Sequence, residues 1–291
     1  MPTQPLSRLL VAYDDYTYHV DSTVTGTGWD GSYPVANLTS TQLSNYSSLT
    51  GTSGSIAIDL GSSKLIEVLS AIKHTVSTTA TWRIRVSDNS LLLTDPDGVP
   101  GGQIIYDSTA VSMWPDTTNY TAVPYSEYVS WATNIPNLRN PYALLVLPED
   151  TTAQYIYINI EAEASASIAK LFVGPTWRPL HGVSRNWGIM YKDKKAPVRL
   201  KSSVVLTEEI PRYRQLSFLC KYLTDTEAFS HISLLDRYYG IIRPYLAVID
   251  PSDAINDYRL AVYGTNSKLL PMKEAGFEGY FSKTFSIDEW L

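Results

Sequence analysis

At 291 residues, 44% hydrophobic and 18% charged, with 21 Tyr and 7 Trp, the chain has the composition of a folded, strand-rich protein and not of a disordered one. Its net charge of −6 divides unevenly, with 8 basic against 16 acidic residues over 1–178 and 15 against 13 over 179–291, which argues for two regions and against binding along a phosphate backbone. A single cysteine, Cys220, excludes an internal disulfide and a cysteine zinc cage, and no apolar run approaches the roughly 18 residues of a membrane span.

In chain order, a strand is predicted at Arg8–Tyr13, and because Asp14 and Asp15 follow its five-residue apolar run directly, no secretory signal is expected there. Further strands are predicted at Ser55–Leu60, Leu65–His74, Thr81–Ser87, Gln103–Asp107, Ala143–Leu147, Tyr155–Glu161 and Ile168–Val173. The apolar alternation is clearest in Trp82-Arg83-Ile84-Arg85-Val86 and in Tyr155 to Ile160, where one face of each strand belongs to a core. Short strands between polar loops point to an antiparallel β-sandwich or jelly roll over 1–178. Within it, Asp59 ends the alternation Ile56, Ile58, Leu60 just before Gly61-Ser62-Ser63, which reads as a turn whose N–H groups the carboxylate accepts.

Two long loops, 23–54 and 112–141, are rich in aromatic residues. Trp29, Tyr33, Trp114, Tyr120, Tyr125 and Trp131 are the candidate contact residues, because exposed aromatic rings stack on sugars or anchor protein interfaces. The alternative is that these rings fold inward to cover the open end of the sandwich.

Near residue 176 the texture changes, and 179–291 is predicted as an α+β domain with strands near Leu200–Thr207, Arg214–Tyr222, Tyr245–Ile249, Arg259–Tyr263 and Gly279–Ile287. Its single helix lies in TDTEAFSHISLLDRYYG, where Thr224 and Glu227 form a capping box, Ala228, Ile232, Leu235 and Tyr239 share a face, and Gly240 stops the turn.

No catalytic, cofactor or metal site is expected. His19, His74, His181 and His231 have no nucleophile motif beside them. Asp95 and Asp97 in TDPDGVPGG suggest a calcium loop but lack the spacing of one, and Pro, Asp and Gly are ordinary turn residues. Asp21 with Asp30, or Asp107 with Asp116, reads as solvated loop acid and not as a glycosidase pair. The N-x-S/T triplets at Asn37, Asn45 and Asn119 follow from a Ser/Thr-rich composition. Lys192, Lys194, Lys195, Arg199 and Lys201 form a basic run that reads as a solvated linker, the alternative being an electrostatic contact with an acidic neighbouring subunit.

YPVANLTS (33–40), SIAIDLGSSKLIEVLSAIKH (55–74), TWRIRVSD (81–88), IIYDS and VSMWP occur in an order that resembles the discoidin-like galactose-binding modules of tailed-bacteriophage tail proteins. PYLAVIDP (244–251), YRLAVYG (258–264) and YFSKTFSIDEW (280–290) resemble the tail-tube-related fold of distal and minor tail proteins. The resemblance implies a non-enzymatic structural virion protein of the tail tip, assembled in the host cytoplasm. It would form a homo-oligomeric ring, hexameric or else trimeric, that contacts tube, hub and fibre proteins. The alternative is a carbohydrate-binding module that recognises a host surface glycan through Trp29, Trp114 and Trp131.

Overall fold

The computed structural model describes residues 9–114, 141–148, 150–163, 165–184, 187–192, 198–199, 205–206, 212–251, 260–276 and 278–291. It is mainly β and antiparallel, and it divides into two compact units. One comprises Ala12–Thr176 with Ile249–Ala261, and the other comprises Met1–Val11, Trp177–Val248 and Val262–Leu291. The N-terminal strand β1 (Leu9–Ala12) therefore belongs with the C-terminal residues and not with the sandwich that follows it.

The first unit is a sandwich of two antiparallel sheets. The strands are β2 (Thr23–Thr27), β3 (Ser47–Ser48), β4 (Ser53–Leu65), β5 (Val68–His74), β6 (Thr81–Ser87), β7 (Ile104–Ser112), β8 (Tyr142–Val146), β9 (Thr152–Glu161) and β10 (Ser167–Gly174). They are ordered β2-β4-β9-β6-β7 in one sheet and β3-β10-β5-β8 in the other. The alternation read in the sequence sets the inner face: Ile56 and Ile58 lie opposite Ile158 and Ile156, while Trp82, Ile84 and Val86 lie opposite Ile160, Ile158 and Ile156. Leu69, Ala71, Leu171 and Val173 close this core from the other sheet. Each such side chain contributes roughly 1.5–3 kcal/mol by leaving water.

Two features depart from the sequence reading. The Thr-rich β2 is an edge strand with mostly exposed residues, so it carries no apolar alternation and reads as loop. The expected turn at Gly61 is a bulge inside the long strand β4, whose pairing with β9 jumps from Asp59↔Tyr155 to Lys64↔Ala153. Gly61 takes φ +74°, and a Cβ there would stand 2.8 Å from the Asp21 carbonyl oxygen, so a glycine is required. Asp59 does accept from the Gly61 N–H, at 2.8 Å, and also from the Gln154 amide at 2.9 Å.

The segment between β1 and β3 covers the outer face of β10 through a fully buried lysine. Lys170 pairs with Asp15 and donates to Thr17 Oγ1 and to the Thr39 carbonyl, both at 3.1 Å. Asp15 also caps the short helical turn Tyr16–Tyr18 by accepting from the Thr17 N–H.

The second unit has strands β11 (Gly188–Lys192), β14 (Tyr213–Thr224), β15 (Tyr245–Ile249), β16 (Ala261–Asn266), β17 (Lys273–Glu274) and β18 (Tyr280–Glu289), with the short pair β12 (Val198–Arg199) and β13 (Val205–Leu206) apart. Its sheet runs β1-β15-β16-β18-β14-β11, and Phe218 stacks on Phe285 across β14 and β18 with ring centroids 4.9 Å apart. The capping box is present: Thr224 Oγ1 accepts from the Glu227 N–H at 3.3 Å, and Glu227 accepts from the Thr224 N–H at 3.0 Å. The segment it opens widens to π turns over Ala228–Ile232 and Leu235–Tyr239, and it buries Ala228, Ile232 and Leu235. Gly240 ends it at φ +54°.

Candidate functional site

In the sandwich unit, β5 ends at His74, β10 starts at Ser167, and the residue Trp114 follows β7, all at one end of the two sheets. Between them lies a cavity of about 680 Å³, which is within the size range of small-molecule sites. Its wall joins apolar surface from Leu43, Val76 and Trp114 to the hydroxyls of Ser44, Thr75, Ser77, Thr78 and Ser167. Ala169, Tyr46, Lys73 and His74 complete the described lining, which contains no carboxylate.

His74 is held by the backbone ladder, opposite Ile168, and by Trp114, whose ring meets the imidazole edge-on at 4.9 Å. It is 2% exposed, and neither ring nitrogen has a hydrogen-bond partner among the described residues. Burial pushes its pKa down to about 3, so the imidazole is neutral at physiological pH and offers one donor and one acceptor. The neighbouring wall is held in place: the Thr75 N–H donates to the Ser167 carbonyl and the Ser167 N–H to Thr75 Oγ1, both at 2.8 Å. Lys73 donates its N–H to the Pro141 carbonyl at 2.8 Å and sits at φ +55°.

At the rim Tyr46 stacks on Tyr33, with centroids 4.7 Å apart and planes 11° from parallel, and both rings are about two-fifths exposed at 37% and 41%. The hydrogen bond to Tyr33 raises the pKa of the Tyr46 phenol. The Asn37 side chain donates to the Tyr46 carbonyl at 2.9 Å, which fixes the loop that carries it.

Of the six aromatic residues expected to make contacts, Tyr33 is therefore open to solvent at this rim. Trp114 is only 7% exposed and donates its indole N–H to the Val76 carbonyl at 3.2 Å, so it forms wall and not platform. Trp29 is half-buried against the core and donates to the Ser55 carbonyl at 2.8 Å. Tyr120, Tyr125 and Trp131 lie outside the described residues. Sequence reasoning missed Tyr46, Lys73 and His74. The signal was there in the polar run KHTVSTTATW, where a histidine ends a strand and hydroxyls follow it.

Four of the candidate acids lie elsewhere and are engaged. Asp107 takes a two-pronged contact from Arg83, and that hydrogen bond lowers its pKa below the ordinary carboxylate value. Asp97 pairs with the buried Arg85 at 2.7 Å, Asp95 accepts from the Gly98 N–H at 3.1 Å, and Asp30 accepts from the Ser32 N–H at 2.7 Å. Asp116 lies outside the described residues, and no cluster of three metal-ligating side chains occurs among the described ones. His19 bonds Asp14 at 2.8 Å, His231 stacks on Trp177, and His181 meets the edges of Tyr222 and Tyr280.

No protein-family model matches the chain, and no curated protein matches it. Among solved structures it is similar to family 32 carbohydrate-binding modules. The module of NanJ from Clostridium perfringens, in complex with galactose, shares 12% identity over 56% of this chain and 98% of its own, with a TM-score of 0.36. Chitosan-binding module 1 of a chitosanase/glucanase from Paenibacillus sp. IK-5 shares 12% over 56% of this chain and all of its own, at 0.35. A GH29 fucosidase of Ruminococcus gnavus in complex with fucose shares 14% over 56% of this chain, at 0.36, and the matched part is 27% of that enzyme.

Proposed function

We propose that the sandwich unit is a non-catalytic carbohydrate-binding module and that its ligand occupies the cavity beside His74. The observation that carries this reading is a cavity walled by hydroxyls and aromatic carbon, beside a buried imidazole that has no hydrogen-bond partner among the described residues. A sugar ring has an apolar face for aromatic carbon and hydroxyls that both donate and accept, which is what a neutral imidazole needs. The cavity has the size for one or two sugar rings, and the stacked Tyr33–Tyr46 pair extends it outward. No carboxylate lines it among the described residues, and hydroxyls with apolar carbon suit binding.

Glycan-array screening of the full chain, followed by titration of a hit against His74→Phe and Tyr46→Ala, tests the reading. Loss of His74's hydrogen bonds should weaken binding by at least about tenfold, equivalent to about 1.4 kcal/mol. Absence of any glycan hit, or full affinity in His74→Phe, would contradict it.

A specific observation favours a second role, in assembly, for the other unit. Of sixteen exposed large apolar side chains among the described residues, ten lie in this unit, including Trp187, Met190 and Tyr191 around β11, which ends its sheet. Exposed apolar surface beside a free strand edge is the mark of a partner-binding surface. With the motifs at 244–251, 258–264 and 280–290, it supports a structural role in a bacteriophage tail tip as a homo-oligomeric ring within the virion. Light scattering on the purified chain and imaging of whole particles test it; a strict monomer absent from particles would rule it out.

A further inference from the structure

We propose that the cavity selects an acidic sugar, with Lys73 as the residue that recognises the ligand carboxylate; this rests on the carbohydrate-binding reading of the same site. Lys73 is the only charged residue among the described lining residues apart from the neutral His74. It makes no ion pair or side-chain hydrogen bond among the described residues, although residues 1–178 hold twice as many acids as bases, 16 against 8. Three other cations of the same unit are paired with acids, Lys170 with Asp15, Arg83 with Asp107 and Arg85 with Asp97, and the partly buried Lys64 lies over the Tyr16 ring. A cation beside a half-enclosed cavity whose described lining holds no carboxylate attracts a ligand anion.

The backbone gives an independent reason to ask what the lysine is for. Lys73 occupies the left-handed region at φ +55°, where Gly or Asn is less strained. Lys73 is the penultimate residue of β5, so a non-glycine residue carries this strain at the edge of the cavity. His74, the next residue, supplies a donor and an acceptor to ring hydroxyls but has no charge to offer a carboxylate. A uronic acid or another carboxylated sugar satisfies both residues at once: hydroxyls on the imidazole and the carboxylate on the ammonium.

The test is titration calorimetry on the full chain with matched pairs that differ only at C6: methyl α-D-galacturonide against methyl α-D-galactoside, and methyl β-D-glucuronide against methyl β-D-glucoside. The expected result is that, in at least one pair, the acid binds about tenfold more tightly than its neutral partner, as a charge-assisted hydrogen bond would give. Lys73→Gln and Lys73→Gly should each reduce that ratio to about one, while the neutral sugar keeps its affinity. Lys73→Gly should also unfold at a higher temperature than the parent, because it relieves the left-handed strain, so a loss of preference there cannot be ascribed to misfolding. Equal affinities within both pairs, or a preference that survives in both variants, would overturn the acidic-sugar assignment and leave carbohydrate binding standing. No binding by any of the four sugars or by any array glycan would overturn both.

Discussion

Asp59 and His74 are both buried or half-buried polar residues at the ends of apolar alternations, and their partners separate their roles. Asp59 is satisfied within the fold by the Gly61 N–H and the Gln154 amide, which hold the β4 bulge. Asp59→Asn should therefore cost less than about 1 kcal/mol and Asp59→Ala about 1–2 kcal/mol in urea unfolding, with sugar binding unchanged in both. His74 has no such partner, and its folded pKa lies well below its unfolded value of 6.5. Between those values the unfolded chain binds the proton and the folded chain does not. Stability is thus fully present above about pH 6.5 and falls as the pH drops toward about 3. Near pH 5 the loss should reach about 2 kcal/mol, and His74→Phe should remove this part of the pH dependence in parallel unfolding curves. Asp59 was legible as a structural residue from its sequence context. The isolation of His74 was not, because it depends on Trp114 and on the lack of a facing acid, both set by tertiary packing.

At the scale of elements, the strands that carry apolar alternation, β4, β6 and β9, were read directly, since a period of two fixes which face is core. The polar edge strand β2 and the short β11 were missed, because an edge has no second buried face to leave a pattern. The capping box was legible in full. Its helical segment was not legible as π turns, which arise where the Gly240 N–H reaches the Leu235 carbonyl, at 2.8 Å, five residues back. Thr224→Ala should destabilise the second unit by about 1 kcal/mol, measured by denaturant unfolding. Lys170 is a stronger case. Lys170→Met leaves Asp15 without its cation, and the expected cost is about 3–5 kcal/mol, whereas the double variant Lys170→Met with Asp15→Asn should recover part of it. Equal stability of the single and double variants would show that the pair does not clamp the segment over β10.

For the whole molecule, the charge division and the uneven spread of exposed apolar residues point to different tasks for the two units. The acidic first unit holds the cavity, and the second holds most of the exposed apolar surface. If β11 is an assembly edge, Met190→Lys should shift the full chain toward monomer in light scattering without lowering its unfolding midpoint, because Met190 is half exposed at 51%. Composition changes near residue 176, whereas the compact units also exchange Met1–Val11 and Ile249–Ala261. That β1 joins the C-terminal sheet was not visible in composition, since strand partners distant in sequence leave no local trace.

The most direct measurement of the central claim is a backbone and side-chain NMR titration of the isotope-labelled full chain with a glycan found by array screening. Saturable shifts should concentrate at Lys73 to Ser77, at the Trp114 indole and at Tyr46, and His74→Phe should abolish them. Shifts confined to other surfaces, or a cavity unperturbed at saturating glycan, would contradict it.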